Sequence, residues 1–179
     1  MIYLMRHGRT SYNIEGRFLG QTNIPLCKQG IKEIEKIASE FPPLFFKKIY
    51  SSEYIRAVET AEIIASNSQL EVIKSRRLIE RNLGILDGKK NKNPEIIKNL
   101  SDFNFIPLGG ESVRSCITRF SDEINNIATN SEGNVLVVSH GGIINLYMKY
   151  IINSKSGRNF LDNGAFHVIE SVGGSIRLR

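Results

Sequence analysis

Val135-Leu136-Val137-Val138-Ser139-His140-Gly141-Gly142 is the stretch on which the fold turns. An unbroken apolar run rich in β-branched residues marks a strand buried on both faces, as in a parallel sheet. It stops at Ser139-His140, passes two glycines and enters an apolar helical segment over residues 143–152. The same grammar recurs upstream. Ile2-Tyr3-Leu4-Met5 is a short apolar run that ends in Arg6-His7-Gly8. Lys48-Ile49-Tyr50 leads through Ser51-Ser52 into a helix whose Ala57, Ala61, Ile64 and Ala65 share one stripe. Ser52 is the expected N-cap, with Glu53 placed for the helix dipole.

Residues 112–128 read as another helix. The tail offers two strands, 165–170 and 175–178, joined tightly through Gly173-Gly174. Strands alternating with helices predict an α/β fold. We expect one domain over 1–179, a three-layer sandwich with helices on both faces of a mostly parallel central sheet. Two long stretches resist assignment, 9–30 and 81–110. Loops of such length are usually functional, so they are expected to wall a site; a short helix near 94–100 interrupts the second.

The 179 residues suffice for a core without disulfide or metal staples. Hydrophobic residues at 41% and charged ones at 23% describe an ordinary globular chain rather than a disordered one. Two cysteines, Cys27 and Cys116, make neither a disulfide framework nor a zinc knuckle, and suit a reducing compartment. The apolar start is cut off by Arg6-His7 before a signal-peptide core forms, and no run reaches membrane-spanning length. The expectation is a cytoplasmic protein with no membrane partner. A net charge of +6 mildly favours an anionic ligand. No aromatic–basic module marks a nucleic-acid binder, and the lysines at 89, 90 and 92 are too local for one.

Of three histidines, His7 and His140 stand at matching places, each after a buried strand and before glycine. Sites in open α/β sheets lie outside the carboxyl ends of the strands. The helix after Ser51-Ser52 brings Arg56 to the same end, although Arg56 also stands three residues from Glu59, an ordinary helix-surface pairing. Arg6, His7, Arg56 and His140 are therefore expected to converge, and such a cluster suits a phosphate. Arginine offers a rigid donor fork for its oxygens, and histidine serves as nucleophile, base or donor near neutral pH. Gly8 and Gly141 would let a ligand approach the backbone, with N–H groups at the start of the following helix ready for an oxyanion. There is no Walker loop, no dinucleotide fingerprint and no histidine–cysteine spacing for a metal. No cofactor is expected.

These residues resemble the histidine phosphatase superfamily, the phosphoglycerate-mutase-like proteins, in five ordered segments. Arg6-His7-Gly8-Arg9-Thr10 is similar to the family's R-H-G-x-T opening, continued by Asn13, Gly16-Arg17 and Pro25-Leu26. Ser51-Ser52 with Arg56-Ala57 and Thr60-Ala61 resembles its helix motif. Leu78-Ile79-Glu80 with Gly84, Gly109-Gly110-Glu111-Ser112, and Val138-Ser139-His140-Gly141-Gly142 complete the set. The resemblance implies that His7 takes the phosphoryl group and that Glu80 is the general acid and then base. Arg6, Asn13, Arg56, His140 and Gly141 would hold phosphate oxygens, and no metal would be needed. Glu111 and Asp87 remain competing carboxylates. His7 must attack as neutral imidazole, so nearby arginines should depress its pKa, whereas Glu80 needs a raised one.

The resemblance also bears on the reaction. The family's mutases carry an inserted basic segment, for which 179 residues leave little room, and a tryptophan after the first motif, where Tyr12 stands. Leu83-Gly84-Ile85-Leu86 follows the acid, where the mutases have a tyrosine. The expected activity is hydrolysis of small phosphomonoesters of phosphorylated metabolites. Phosphoglycerate-mutase-type transfer and non-catalytic phosphate binding are the alternatives, and a homodimer is left open.

Overall fold

The computed structural model describes residues 1–66, 68, 70–90, 94–153, 161–172 and 175–179. β1 (Ile2–Arg6) is followed by a single-turn helix α1 (Ser11–Ile14) and by α2 (Lys28–Glu40). Next come β2 (Lys48–Ser52), α3 (Ile55–Ala65) and β3 (Val72–Ser75). After α4 (Pro94–Leu100) the chain runs through α5 (Val113–Thr129), β4 (Val135–Ser139), α6 (Gly141–Tyr150), β5 (Phe166–Val172) and β6 (Ser175–Leu178).

The strands form one six-stranded sheet in the order β3-β2-β4-β1-β5-β6. β3, β2, β4 and β1 run parallel, and β5 is antiparallel to both β1 and β6. Side chains alternate across a strand, and β1 and β4 are apolar at each position before the last because both faces are covered. Ile2, Leu4, Val135 and Val137 pack with α5 and α6 residues such as Phe120, Ile124, Ile143 and Tyr147. Tyr3, Met5, Leu136 and Val138 point the other way, into α2 and α3 at Ile34, Ala38, Ala57, Ala61 and Ile64. The α/β sandwich with helices on both faces is thus the observed fold.

Three elements were missed in the sequence, the single-turn α1, α2 and β3. The apolar positions of α2, Ile31, Ile34, Ile37 and Ala38, keep helical spacing among charged residues, a signal the sequence offered. β3 is an edge strand of four residues with none fully buried, and carries little hydrophobic signal. The 9–30 stretch is accordingly not all loop. Ser52 is a correction too: it ends β2, and α3 starts from Tyr54 without a side-chain cap and with no acidic residue in its first turn. The helix read over 112–128 is α5, capped by Ser112, and the 94–100 helix is as expected. Gly173-Gly174 and the Asn91–Lys92 part of the lysine run lie outside the described residues. No helix among the described residues is long and apolar enough to cross a membrane.

Candidate active site

Register builds the site. β1 and β4 pair with Arg6 opposite Ser139, so the residues just beyond, His7 and His140, leave the sheet side by side. His7 N–H donates to Ser139 O at 2.9 Å, and the two imidazole rings stand 5.2 Å apart. β2 pairs on the other side of β4 with Ser51 opposite Val138. That brings Ser52 Oγ to 2.7 Å from His140 Nε2 and delivers the first turn of α3, with Arg56, beneath the histidines.

The hydrogen bonds fix both tautomers. A carbonyl oxygen only accepts, so the 2.7 Å contact between His7 Nδ1 and Gly8 O makes Nδ1 the donor. Nε2 is left with the lone pair. Arg56 Nε donates to His140 Nδ1 at 3.2 Å, so His140 carries its proton on Nε2 and gives it to Ser52. Burial pushes both histidines well below the ordinary 6.5, and the charges of Arg56 and Arg6 add to the effect at His7. Both are neutral at physiological pH.

Arg56 is fully buried. Besides His140 it donates to Thr22 O and Gly20 O, both at 2.8 Å, and burial lowers its pKa to about 10. It does not pair with Glu59, which instead accepts from Leu26 N–H at 2.7 Å. Arg6 reaches from β1 across to Leu161 O at 2.6 Å. Thr60, one turn along α3, accepts from Gly8 N–H and donates to Arg56 O, tying the loop after His7 to the helix that carries Arg56.

A cavity of about 330 Å³ opens above this cluster, lined among others by Arg6, His7, Asn13, Glu80, Gly141, Gly142 and Asn163. Its walls include Arg17, Phe18 and Leu19 from the first long stretch and Arg81, Leu83 and Leu100 from the second, as the sequence led us to expect. Arg56 and His140 lie one layer behind, their side chains against the lining rather than in it.

Glu80 settles between the two long segments, only 6% exposed. Its carboxylate accepts from Arg81 N–H at 2.8 Å and from Gly142 and Ile143 N–H at 2.9 Å each. It thereby caps α6, whose N-cap residue His140 offers no side-chain bond. The helix N-terminus favours an anion, and that anion is the chain's own carboxylate. Those N–H groups are therefore not open to a ligand oxyanion, contrary to the sequence reading. Burial raises the Glu80 pKa, opposed by the backbone bonds.

The two competing carboxylates serve the frame. Asp87 accepts from Gly20 N–H and from the N–H and hydroxyl of Thr22, pinning the first loop. Glu111 takes a bidentate pair from Arg119 at 3.0 Å to each oxygen. Arg119 goes on to Ile79 O and Glu80 O, which holds the segment bearing Glu80.

The glycines are needed for packing. A Cβ on Gly8 would meet Ile34 Cγ1 at 2.7 Å, one on Gly141 would meet Arg6 Nε at 2.9 Å, and one on Gly142 would meet Glu80 Oε1 at 2.8 Å. The strand–glycine junctions are narrow because the site's own side chains fill them.

Asn13 enters as expected. Its Oδ1 accepts from Thr10 N–H, Thr10 hydroxyl and Asn163 Nδ2, so the Nδ2 end is the donor it can offer the cavity. Asn163 was missed. It donates to His7 O and Gly8 O as well, from a turn whose Gly164 has φ of 77°; the Asp162-Asn163-Gly164 triplet was the available signal. Arg81 was also missed, although it is 2% exposed and donates to Glu111 O, Leu100 O and Phe105 O. No cluster of three or more His, Cys, Asp or Glu among the described residues is arranged to hold a metal ion.

A model of the histidine phosphatase superfamily, branch 1, matches residues 2–179. The metal-independent phosphoserine phosphatase of Arabidopsis thaliana is 34% identical over 94% of this chain and 75% of its own length. The probable phosphoglycerate mutase GpmB of Proteus mirabilis is 32% identical over 78% of this chain and 69% of its own. Among solved structures, a phosphoglycerate mutase from Bacillus anthracis superposes with a TM-score of 0.88 at 26% identity, covering 99% of this chain and 90% of that one.

Proposed function

The chain belongs to the histidine phosphatase superfamily, and from that premise we propose that it hydrolyses small phosphomonoesters, without a metal, through a phosphohistidine on His7. One observation carries the reading. A neutral, tautomer-fixed imidazole and a buried carboxyl of raised pKa line the same cavity.

In the first step His7 Nε2 attacks phosphorus, and the bond from phosphorus to the ester oxygen breaks. The departing oxygen takes a proton from Glu80, leaving an alcohol and a carboxylate. In the second step water attacks phosphorus, gives its proton to Glu80 and expels Nε2. The products are inorganic phosphate and the neutral histidine. Arg6, Asn13 Nδ2 and Gly141 supply donors at the cavity wall. Arg56 and His140, both fully buried, act on the phosphoryl charge from just behind His7, where charges interact more strongly than in water. The likeness to a metal-independent phosphoserine phosphatase supports both hydrolysis and metal independence.

Mutase-type transfer is the second reading, favoured by the names of other relatives. Turnover of p-nitrophenyl phosphate with EDTA present, beside His7→Ala, tests the proposal. It requires chelator-resistant release of inorganic phosphate that the variant loses. Metal-dependent turnover or a fully active variant would overturn it. Isomerised product without phosphate release would give the mutase reading.

A further inference from the structure

α6 does more than present Gly141 and Gly142 to the reacting groups. Gly142, Asn145, Leu146 and Lys149 all line the cavity, and their spacing puts them on one side of the helix. At a rise of about 1.5 Å per residue, this face runs outward from the Glu80 carboxyl, with Asn145 roughly 4.5 Å along the axis and Lys149 roughly 10 Å. A phosphomonoester whose ester oxygen meets Glu80 would lay its leaving group along this face.

The surroundings of that path are largely apolar: Phe18, Leu19, Leu83, Ile97, Leu100 and Leu146. Its outer polar groups are already engaged, Lys149 donating to Ser101 O at 2.8 Å and Arg81 to three carbonyls. Asn145 is the exception. The residue is 8% exposed, and its Oδ1 is buried without a hydrogen-bond partner. A buried amide oxygen in that condition is destabilising. A leucine there would match the wall at no such cost.

Resting on the proposed phosphatase activity, we propose that Asn145 is a specificity-determining residue that accepts a hydrogen bond from the leaving group. The substrates it selects are phosphomonoesters of a mainly apolar alcohol with a hydroxyl or N–H close to the ester oxygen. A small rotation about the Asn145 side chain, allowed by its lack of protein partners, turns the amide oxygen to that donor. A site built to bond a substrate hydroxyl discriminates strongly against the analogue lacking it, because the buried acceptor then stays unpaired.

The test compares 2-hydroxyphenyl phosphate with 2-methoxyphenyl phosphate and phenyl phosphate, which present similar apolar bodies with and without the donor. Wild type is expected to favour the hydroxyl compound at least tenfold in kcat/KM. Asn145→Leu is expected to lower kcat/KM for the hydroxyl compound at least tenfold more than for phenyl phosphate, with Asn145→Ala as the second variant. A wild-type ratio near one, or one that both folded variants retain, would overturn the assignment while phenyl phosphate turnover upholds the phosphatase. Failure to hydrolyse any of the three would instead strike the phosphatase reading on which it rests.

Discussion

Glu80→Gln separates proton donation from everything else the carboxyl does. The amide keeps an acceptor for Arg81 and Ile143 N–H but turns its NH₂ toward Gly142 N–H, which now sits 2.9 Å from Oε2. One hydrogen bond to a charged acceptor is lost, about 1.5–3 kcal/mol. Against this, the wild-type carboxyl is itself penalised by burial, so the net loss of stability should be no more than about 2 kcal/mol. Loss of a general acid removes far more from the reaction, about 10²–10⁴-fold or 3–5 kcal/mol. That loss falls only where the leaving oxygen needs a proton. The assay is kcat/KM for an alkyl phosphate and for p-nitrophenyl phosphate, since this constant reports the steps through cleavage of the ester bond. The alkyl ester should lose at least a hundredfold and the nitrophenyl ester less than about tenfold. The alkyl profile of wild type should also fall as pH rises through the raised Glu80 pKa, a limb absent from the variant. Equal losses on the two substrates would refute the role assigned to Glu80.

Stability should drop on mild acidification. His7 and His140 are held well below 6.5, so below that pH the unfolded chain binds protons that the folded one refuses, at about 1.4 kcal/mol per pH unit for each histidine. Glu80 works in the opposite sense, its raised pKa adding stability as pH falls toward 4.5. Urea titrations between pH 7.5 and 5.5 should therefore show a net loss averaging up to about 1.4 kcal/mol per unit, reduced by what Glu80 returns; a flat profile would argue against two buried neutral imidazoles. Gly142→Ala drives a Cβ into the Glu80 carboxyl and should cut kcat/KM on alkyl phosphates at least tenfold, while circular dichroism keeps the native spectrum. Arg119→Met strips Glu111 of its bidentate partner, a pair only 20% and 15% exposed, and should cost about 3 kcal/mol in denaturant unfolding. It should also lower alkyl-ester kcat/KM, because Arg119 holds the Ile79 and Glu80 carbonyls.

What the chain discloses without coordinates follows from how each element is stabilised. The central strands β1 and β4 are buried on both faces, so hydrophobicity alone marks them, and their shared Arg/Ser–His–Gly endings reveal which ends meet. The stripe of α3 was legible for the same reason. α2 and β3 were not read: the apolar residues of α2 keep helical spacing but stand singly or paired among charged ones, and β3 is a short edge held mainly by backbone pairing to β2. At the site, the sequence brought His7, Arg6, Arg56 and His140 together but could not say which faces the cavity and which stands behind it. That depends on rotamers set by distant partners, such as the carbonyls of Gly20 and Thr22 around Arg56. It could not foresee that Glu80 would occupy the N-terminus of α6, since the two are joined only in the folded sheet. Arg81 acts through loop carbonyls, which carry no mark in residue type, whereas Asn163 was announced only by its turn triplet.

The most direct test of the account is to trap the phosphoenzyme. Rapid quenching of wild type with a ³²P-labelled phosphomonoester, in EDTA, should yield an acid-labile, alkali-stable phosphoprotein whose label maps to His7, and Glu80→Gln should not move it. Label that is absent from His7, or found on His140 or on a serine, would contradict the central claim.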